Sequence, residues 1–212
     1  MIAWNFSRSL LGAFALSAVL AGFAIAATTP PKKDEPQITA PNAILIEADS
    51  GSILFERNAD EMIYPASLAK LMTAEFVFNE LRQGRIKLTD EYWVSENAWR
   101  RGGAPSHGST MFAALYSRIK VEDLLRGVII QSGNDACIVL AEGIAGSEEQ
   151  FVELMNAKAR EIGLEHASFR NSTGWPDAAH VMSVRDIALV ARRLISDFPE
   201  YYKYDEIGRA HV

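Results

Sequence analysis

Ser67 and Lys70 have the residue types and the spacing to form a nucleophile and its base. A serine hydroxyl becomes a strong nucleophile only when a nearby base removes its proton. A lysine amine can be that base only when burial or neighbouring charges lower its pKa. Residues three apart on a helix share one face, so a helix here would bring the amine to the hydroxyl. The pair predicts acyl transfer through an ester on Ser67.

The same Ser-x-x-Lys pattern occurs a second time, from Ser117 to Lys120. Ser117 precedes the next predicted helix instead of opening one. Lys120 would lie near the start of that helix, where the helix dipole disfavours a cation. We therefore interpret the second copy as structural. The pattern alone is weak evidence, because a serine at a helix start is more often a cap than a nucleophile.

Ser132-Gly133-Asn134 can supply a second hydroxyl and a carboxamide. It follows a strongly amphipathic helix pattern, and a short turn after a buried helix can aim both side chains into a cleft. A similar triplet, Ser95-Glu96-Asn97, occurs earlier in the chain. In isolation the triplet at 132–134 is better explained by an ordinary helix stop, with Asn134 or Asp135 capping the next helix.

The predicted elements before and after these motifs form one compact unit. The β-prone runs 43–48 and 52–56 flank the turn residues 49–51 and predict a hairpin. Apolar spacing predicts a helix over about 67–81, ended by Gly84. Further helices are predicted over 121–131, 135–145, 147–163 and 183–195. Residues 85–120 show no period and are predicted to be mostly irregular.

Composition excludes several classes of function. The chain of 212 residues has 21 basic and 27 acidic side chains, so it has no basic footprint for nucleic acid and nucleic acid is not an expected partner. The single cysteine, Cys137, cannot form an internal disulfide and is interpreted as a small buried side chain. The four histidines lack metal-ligand spacing. No metal and no cofactor are expected.

The first 26 residues have the layout of a signal peptide. Arg8 is the only charge before Lys32, and an apolar run over 10–25 ends in small residues. That run is short for a membrane-spanning helix, and the proline-rich linker 27–37 follows it. We expect export with cleavage near Ala26, and an uncleaved N-terminal anchor is the alternative.

In combination these motifs resemble the penicillin-recognising serine enzymes, and more narrowly the low-molecular-weight D-alanyl-D-alanine carboxypeptidases. The resemblance covers a partial domain over about 38–204 and depends on the order of its segments. These segments are Tyr64-Pro65-Ala66-Ser67, Gly108 to Phe112, Asp123-Leu124-Leu125, Ser132 to Ala136, Asn171-Ser172-Thr173-Gly174 and His180 to Ser183. The implied fold is α/β (α+β) and β-lactamase/transpeptidase-like. An antiparallel sheet is flanked by helices, with an inserted helical lobe and the active site between.

The resemblance implies a serine carboxypeptidase that removes the terminal D-alanine from peptidoglycan stem peptides and binds β-lactam antibiotics. Ser67 matches the acylated serine and Lys70 its base. Ser132 matches the hydroxyl that relays a proton to the leaving amine, and Asn134 matches the substrate-binding amide. The implied location is the bacterial periplasm or the outer face of the cytoplasmic membrane. A D,D-endopeptidase, a β-lactamase and an inert binding fragment are the alternatives.

Two features depart from that family pattern. The Lys-Thr-Gly tripeptide of its late sheet strand does not occur in the 212 residues. The late sheet strands are therefore expected to be missing, together with the cationic partner of the substrate carboxylate. Residues 205–212 do not resemble the family, and we expect them to be an unrelated tail on a C-terminally truncated chain. Membrane-surface association through an anchor in the missing end stays open.

Overall fold

The computed structural model describes residues 38–204. The predicted signal peptide (1–26), linker (27–37) and tail (205–212) lie outside these residues. Within the described range, no helix combines the length and the apolar composition that crossing a membrane requires.

Between residues 38 and 204 the chain forms short antiparallel strands and a larger set of helices. The strands are β1 (Ala43–Ile46), β2 (Ile53–Arg57), β3 (Glu91–Trp93) and β4 (Arg118–Lys120). The α-helices are α1 (Lys70–Arg82), α2 (Glu96–Gly102), α3 (Val121–Gln131), α4 (Asn134–Ala145), α5 (Glu148–Glu161), α6 (Val184–Asp197) and α7 (Pro199–Tyr202). Two 3₁₀ turns cover Ala66–Ala69 and Ala104–Ser106. The predicted α/β class is confirmed.

β1 and β2 form the predicted antiparallel hairpin, with Ala43 opposite Arg57. Gly51 lies in the connecting turn at a φ of 75°, a conformation that glycine adopts without steric cost. Arg192 of α6 donates a hydrogen bond of 2.8 Å to the Ala48 carbonyl. The hairpin is therefore fastened to the last long helix, which closes the N-terminal part of the described chain onto its C-terminal part.

The region 85–120 is more ordered than its sequence predicts. It contains α2 and the paired strands β3 and β4, with Trp93 opposite Arg118. The Ser95 hydroxyl caps α2 by accepting a hydrogen bond of 2.9 Å from the Ala98 N–H. Elements of three to seven residues are too short to show a period, so the sequence pattern does not reveal them. The prediction of mostly irregular structure is confirmed for the region as a whole, because these elements cover fewer than half of its residues.

The helices predicted on either side of this region are confirmed, with shifts of a few residues at their ends. α1 begins at Lys70 instead of Ser67, because the preceding turn is 3₁₀. α3 ends at Gln131, and the residue that caps it, Ser132, is in the left-handed conformation, with φ 53° and ψ 34°. Ser183 and Asp186 cap α6 reciprocally as a capping box.

α1 is buried along almost its whole length and lies between two apolar clusters. Phe78 packs into the cluster that includes α3 and α4. Phe76 packs edge-on against Phe151 of α5, with ring centroids 5.0 Å apart. Burying each such side chain contributes on the order of 1.5–3 kcal/mol. α1 is therefore a rigid central element, and its first residue, Lys70, lies in the interior.

Candidate active site

The structure brings Ser67 and Lys70 together as their spacing predicts. The Lys70 Nζ lies 3.2 Å from the Ser67 Oγ. Ser67 is exposed on the 3₁₀ turn, whereas Lys70 is only 5% exposed at the start of α1. A hydroxyl on an exposed residue therefore lies within hydrogen-bond distance of a buried amine, which is the arrangement that a serine nucleophile and its base require.

Burial lowers the pKa of Lys70, and the opposing influence of Cys137 on α4 is smaller. The Lys70 Nζ also lies 2.6 Å from the Thr173 carbonyl oxygen. A neutral amine has two N–H donors and one lone pair, so it can donate to Thr173 and still accept a proton from Ser67. The surroundings favour the form of lysine that can act as a base.

Ser132 contributes a second hydroxyl to the same cleft, which has a volume of about 130 Å³. Its Oγ is buried and has no hydrogen-bond partner among residues 38–204. A buried hydroxyl without a partner is costly unless a ligand or a water completes it. The left-handed backbone at Ser132 turns this side chain out of α3. The remaining walls of the cleft are apolar: Leu68, Leu71, Ala74, Val128 and Ile129.

Asn134 lies beside this group without joining it. It is the first residue of α4 and is 5% exposed. A Cβ added at Gly108 would lie 3.0 Å from the Asn134 Nδ2, so the amide faces that loop. Within the described part of the chain, no hydrogen bond connects the Asn134 side chain to Ser67 or Lys70.

The alternative interpretation, in which Asn134 or Asp135 caps α4, is wrong for both residues in its simple form. Gly133 occupies the cap position, and no side chain caps α4 there. The Asp135 carboxylate instead accepts hydrogen bonds from the backbone N–H groups of Met111 and Ala113, both at 2.9 Å. Asp135 thereby fixes the loop that contains Met111 and Ala113 to the start of α4.

The sequence does not predict any contribution of residues 171–175 to this site. They supply the Thr173 carbonyl that contacts Lys70, and Gly174 packs against the backbone of Ala66. Asn and Gly in a polar stretch do indicate a turn. That pattern does not indicate where the turn packs.

The second Ser-x-x-Lys copy has none of this geometry. Ser117 precedes β4, and Lys120 is exposed at the end of that strand. The Ser117 Oγ donates a local hydrogen bond of 2.7 Å to the Ala114 carbonyl. The structural interpretation of this copy is confirmed.

Cys137 is fully buried, as predicted, and burial raises the pKa of its thiol to about 12. It therefore remains protonated and unreactive at neutral pH. Across residues 38–204, no three His, Cys, Asp or Glu side chains are grouped so that they could hold a metal ion.

Comparison with known proteins gives one consistent result. The family model described as D-alanyl-D-alanine carboxypeptidase matches residues 27–211. The D-alanyl-D-alanine carboxypeptidase DacC of Escherichia coli is 43% identical over 200 residues, which is 93% of this chain and 50% of the relative. The crystal structure of penicillin binding protein 5 from Haemophilus influenzae superposes with a TM-score of 0.78 at 42% identity, over 82% of this chain and 50% of that one.

A second bacterial relative, with lower sequence identity, gives the same result. The D-alanyl-D-alanine carboxypeptidase DacF of Bacillus subtilis is 39% identical over 170 residues, covering 80% of this chain and 41% of the relative. The chain thus spans about half the length of the curated relatives that it matches. The resemblance drawn from the motifs is confirmed.

Proposed function

The chain belongs to the D-alanyl-D-alanine carboxypeptidase family, and on that premise we propose that it is a serine D,D-carboxypeptidase acting through an acyl-enzyme on Ser67. The observation that carries the proposal is the distance of 3.2 Å between the Ser67 Oγ and the buried Lys70 Nζ. The substrate class is a peptidoglycan stem peptide that ends in D-alanyl-D-alanine.

In the first step, the neutral Lys70 amine accepts the Ser67 proton as the Oγ attacks the carbonyl carbon of the penultimate D-alanine. The lowered pKa of Lys70 supports this role, because only the unprotonated amine has a lone pair to offer. The hydrogen bond to the Thr173 carbonyl holds the amine in place while the proton moves.

In the second step, the tetrahedral intermediate expels the terminal D-alanine as its amine takes up a proton. We assign the Ser132 hydroxyl as the relay: it donates its own proton to the leaving amine and receives one from the Lys70 ammonium. Its buried Oγ, which lacks a partner within residues 38–204, supports this role. Water then attacks the Ser67 ester, which releases the shortened peptide and regenerates the free hydroxyl.

Asn134 is proposed to bind the substrate by its carboxamide. It lies nearly buried at the start of α4, next to Ser132 in the chain and facing the loop that contains Gly108. An amide in that position can donate to a peptide carbonyl and accept from a peptide N–H.

β-Lactam binding follows from the same chemistry. Attack by Ser67 on the strained lactam carbonyl opens the ring and gives an ester that water hydrolyses slowly. The similarity to penicillin binding protein 5 supports this assignment. The N-terminal layout supports export to the periplasm or to the outer face of the cytoplasmic membrane.

The experiment is to incubate the purified chain with a pentapeptide that ends in D-alanyl-D-alanine and, separately, with cross-linked stem-peptide dimers. Release of free D-alanine, lost in Ser67→Ala, is the expected result. Cleavage of the dimer alone would instead identify a D,D-endopeptidase. If β-lactam labels Ser67 but neither substrate is cleaved, the carboxypeptidase assignment fails and a binding fragment replaces it.

A further inference from the structure

We propose that Asn171 is a positioning residue for the catalytic pair and acts through residues 171–175, which we call the clamp segment. The inference rests on the proposed function of Ser67 and Lys70. The clamp segment is not adjacent to either residue in the chain, yet it contacts both through consecutive backbone groups. Asn171 holds the segment in the conformation that makes these contacts.

Asn171 organises the clamp segment from within. It is 8% exposed, and its Oδ1 accepts hydrogen bonds from the backbone N–H groups of Thr173, Gly174 and Trp175 at 2.8–3.2 Å. The same oxygen accepts from the Thr173 hydroxyl at 3.0 Å. The Asn171 Nδ2 donates to the Trp175 carbonyl at 3.0 Å. One side chain therefore sets the path of the four residues that follow it.

The clamp segment holds α1 through two consecutive carbonyl groups. The Thr173 carbonyl oxygen lies 2.6 Å from the Lys70 Nζ. The Ser172 carbonyl oxygen accepts a hydrogen bond of 2.7 Å from the Thr73 hydroxyl. Lys70 and Thr73 are three apart and so share one face of α1. The path of the clamp segment therefore sets the position of the base.

Gly174 extends the contact to the nucleophile side. A Cβ at Gly174 would lie 1.9 Å from the Ala66 carbonyl oxygen and 3.1 Å from the Ser67 nitrogen, so only glycine permits this approach. Ala66, with a φ of 48°, is itself held in the left-handed conformation that alanine disfavours. Gly174 therefore packs directly against the strained turn at Ala66 that precedes Ser67.

The other side of the clamp segment is anchored to α5. The Glu148 Oε1 accepts hydrogen bonds from the Ser172 N–H at 3.0 Å and from its hydroxyl at 2.7 Å. Glu148 is 4% exposed, and its other oxygen pairs with Arg101 at 3.0 Å. The buried Glu148 carboxylate is thus both ion-paired and hydrogen-bonded, and the clamp segment links it to α1.

Loosening the clamp segment should expose the amine of Lys70. Cys137 on α4 influences the pKa of this amine less than burial does, and Glu148 on α5 is linked to the clamp segment through Ser172. Burial is the main cause that lowers the pKa of Lys70, so entry of water would return the pKa towards its ordinary value of about 10.4. Less of the base would then be neutral at pH 7.

The first test compares Asn171→Ala with Asn156→Ala. Asn156 is a control for general loosening, since its side chain also makes three hydrogen bonds, one to Val152 on its own helix and two to Phe169. Within residues 38–204, none of these bonds reaches Ser67, Lys70 or the clamp segment. The readout is the rate constant for acylation by a fluorescent penicillin as a function of pH. Asn171→Ala should lower the rate by about 10–100-fold and move its rise to higher pH. Asn156→Ala should leave the pH profile unchanged.

Asn171→Asp is the conservative variant, because a carboxylate oxygen can accept the same four hydrogen bonds. It should recover the acylation rate at high pH. Its charge near Lys70 should raise the pKa of the amine, so the rise remains shifted upwards. A folded Asn171→Asp that stays as slow as Asn171→Ala at every pH would contradict the proposal, and this variant decides the question if Asn171→Ala does not fold.

A second measurement does not depend on acylation. Modification of Lys70 by an amine-reactive reagent across pH, mapped by mass spectrometry, reports the pKa of the amine directly. The expected result is a higher pKa in Asn171→Ala and no change in Asn156→Ala. If wild type fails to react with penicillin, the proposed function fails while this titration still tests the clamp. An unchanged pKa in folded Asn171→Ala would overturn the inference.

Discussion

The two Ser-x-x-Lys segments of this chain have the same residue types and spacing but opposite environments. In the first, the Lys70 amine is buried 3.2 Å from the Ser67 hydroxyl at the start of a central helix. In the second, Ser117 precedes a short strand whose last residue, Lys120, is exposed. Extended backbone separates the two side chains there, and the lysine side chain faces solvent.

The comparison shows that the Ser-x-x-Lys spacing brings the hydroxyl and the amine together where the backbone is helical, and that only the amine of Lys70 is also buried. A helical path places residues three apart on one face, whereas a strand points alternate residues to opposite faces. Burial then penalises the charged amine and lowers its pKa. Both conditions hold at Lys70, and neither holds at Lys120.

The largest expected effect concerns the nucleophiles. Ser67→Ala should abolish covalent labelling by fluorescent penicillin, because no other hydroxyl among residues 38–204 makes a hydrogen bond with a buried lysine amine. Ser117→Ala should label like wild type. The check is in-gel fluorescence with mass mapping of the labelled peptide. A label that persists in Ser67→Ala and disappears in Ser117→Ala would reverse the comparison.

The two lysines should differ next most strongly. Lys70→Arg keeps a cation but removes the base, since a guanidinium does not deprotonate in proteins. The acylation rate should fall by about 10²–10⁴-fold, the usual contribution of a positioned base. Lys120→Arg should leave the acylation rate unchanged. Stopped-flow measurement of the penicillin reaction separates the two, and equal rates in both variants would contradict the assignment.

The two Ser-x-Asn triplets allow the same kind of comparison. Ser132→Ala should slow acylation by about 10²-fold with little loss of stability, as expected for a proton relay. Ser95→Ala should leave the rate unchanged but lose the cap of α2, which costs about 1 kcal/mol in the free energy of unfolding. Denaturant unfolding and acylation rates, measured on both variants, give the expected crossed pattern. Parallel changes in both quantities would break it.

The smallest effect concerns the pH dependence of stability. The folded-state pKa of Lys70 is lowered, so in the window between it and the unfolded-state value of about 10.4 the unfolded chain binds more protons. Wild type should therefore gain stability relative to Lys70→Met as pH rises through that window. Denaturant midpoints measured at several pH values test this, and a flat difference for Lys70→Met would disprove it.

Several features were predictable from local sequence alone. The spacing of Ser67 and Lys70, the hairpin around Gly51 and the amphipathic helix from Val121 depend on neighbouring residues, whose side-chain periods follow from backbone geometry. The order of the motifs then indicated the family, which the comparisons confirm. The short elements within 85–120 were missed, because three-residue strands pair by contacts that no period reveals.

Other features were decided only by the tertiary structure. The carbonyl that contacts the Lys70 amine belongs to Thr173, 103 positions away, and packing brings the two together. The left-handed turn at Ser132 and the orientation of Asn134 towards Gly108 likewise depend on how α3, α4 and the neighbouring loop meet. Local sequence sets which groups can react. Burial and long-range contacts set the pKa and the orientation with which they do so, because desolvation is a property of the folded interior.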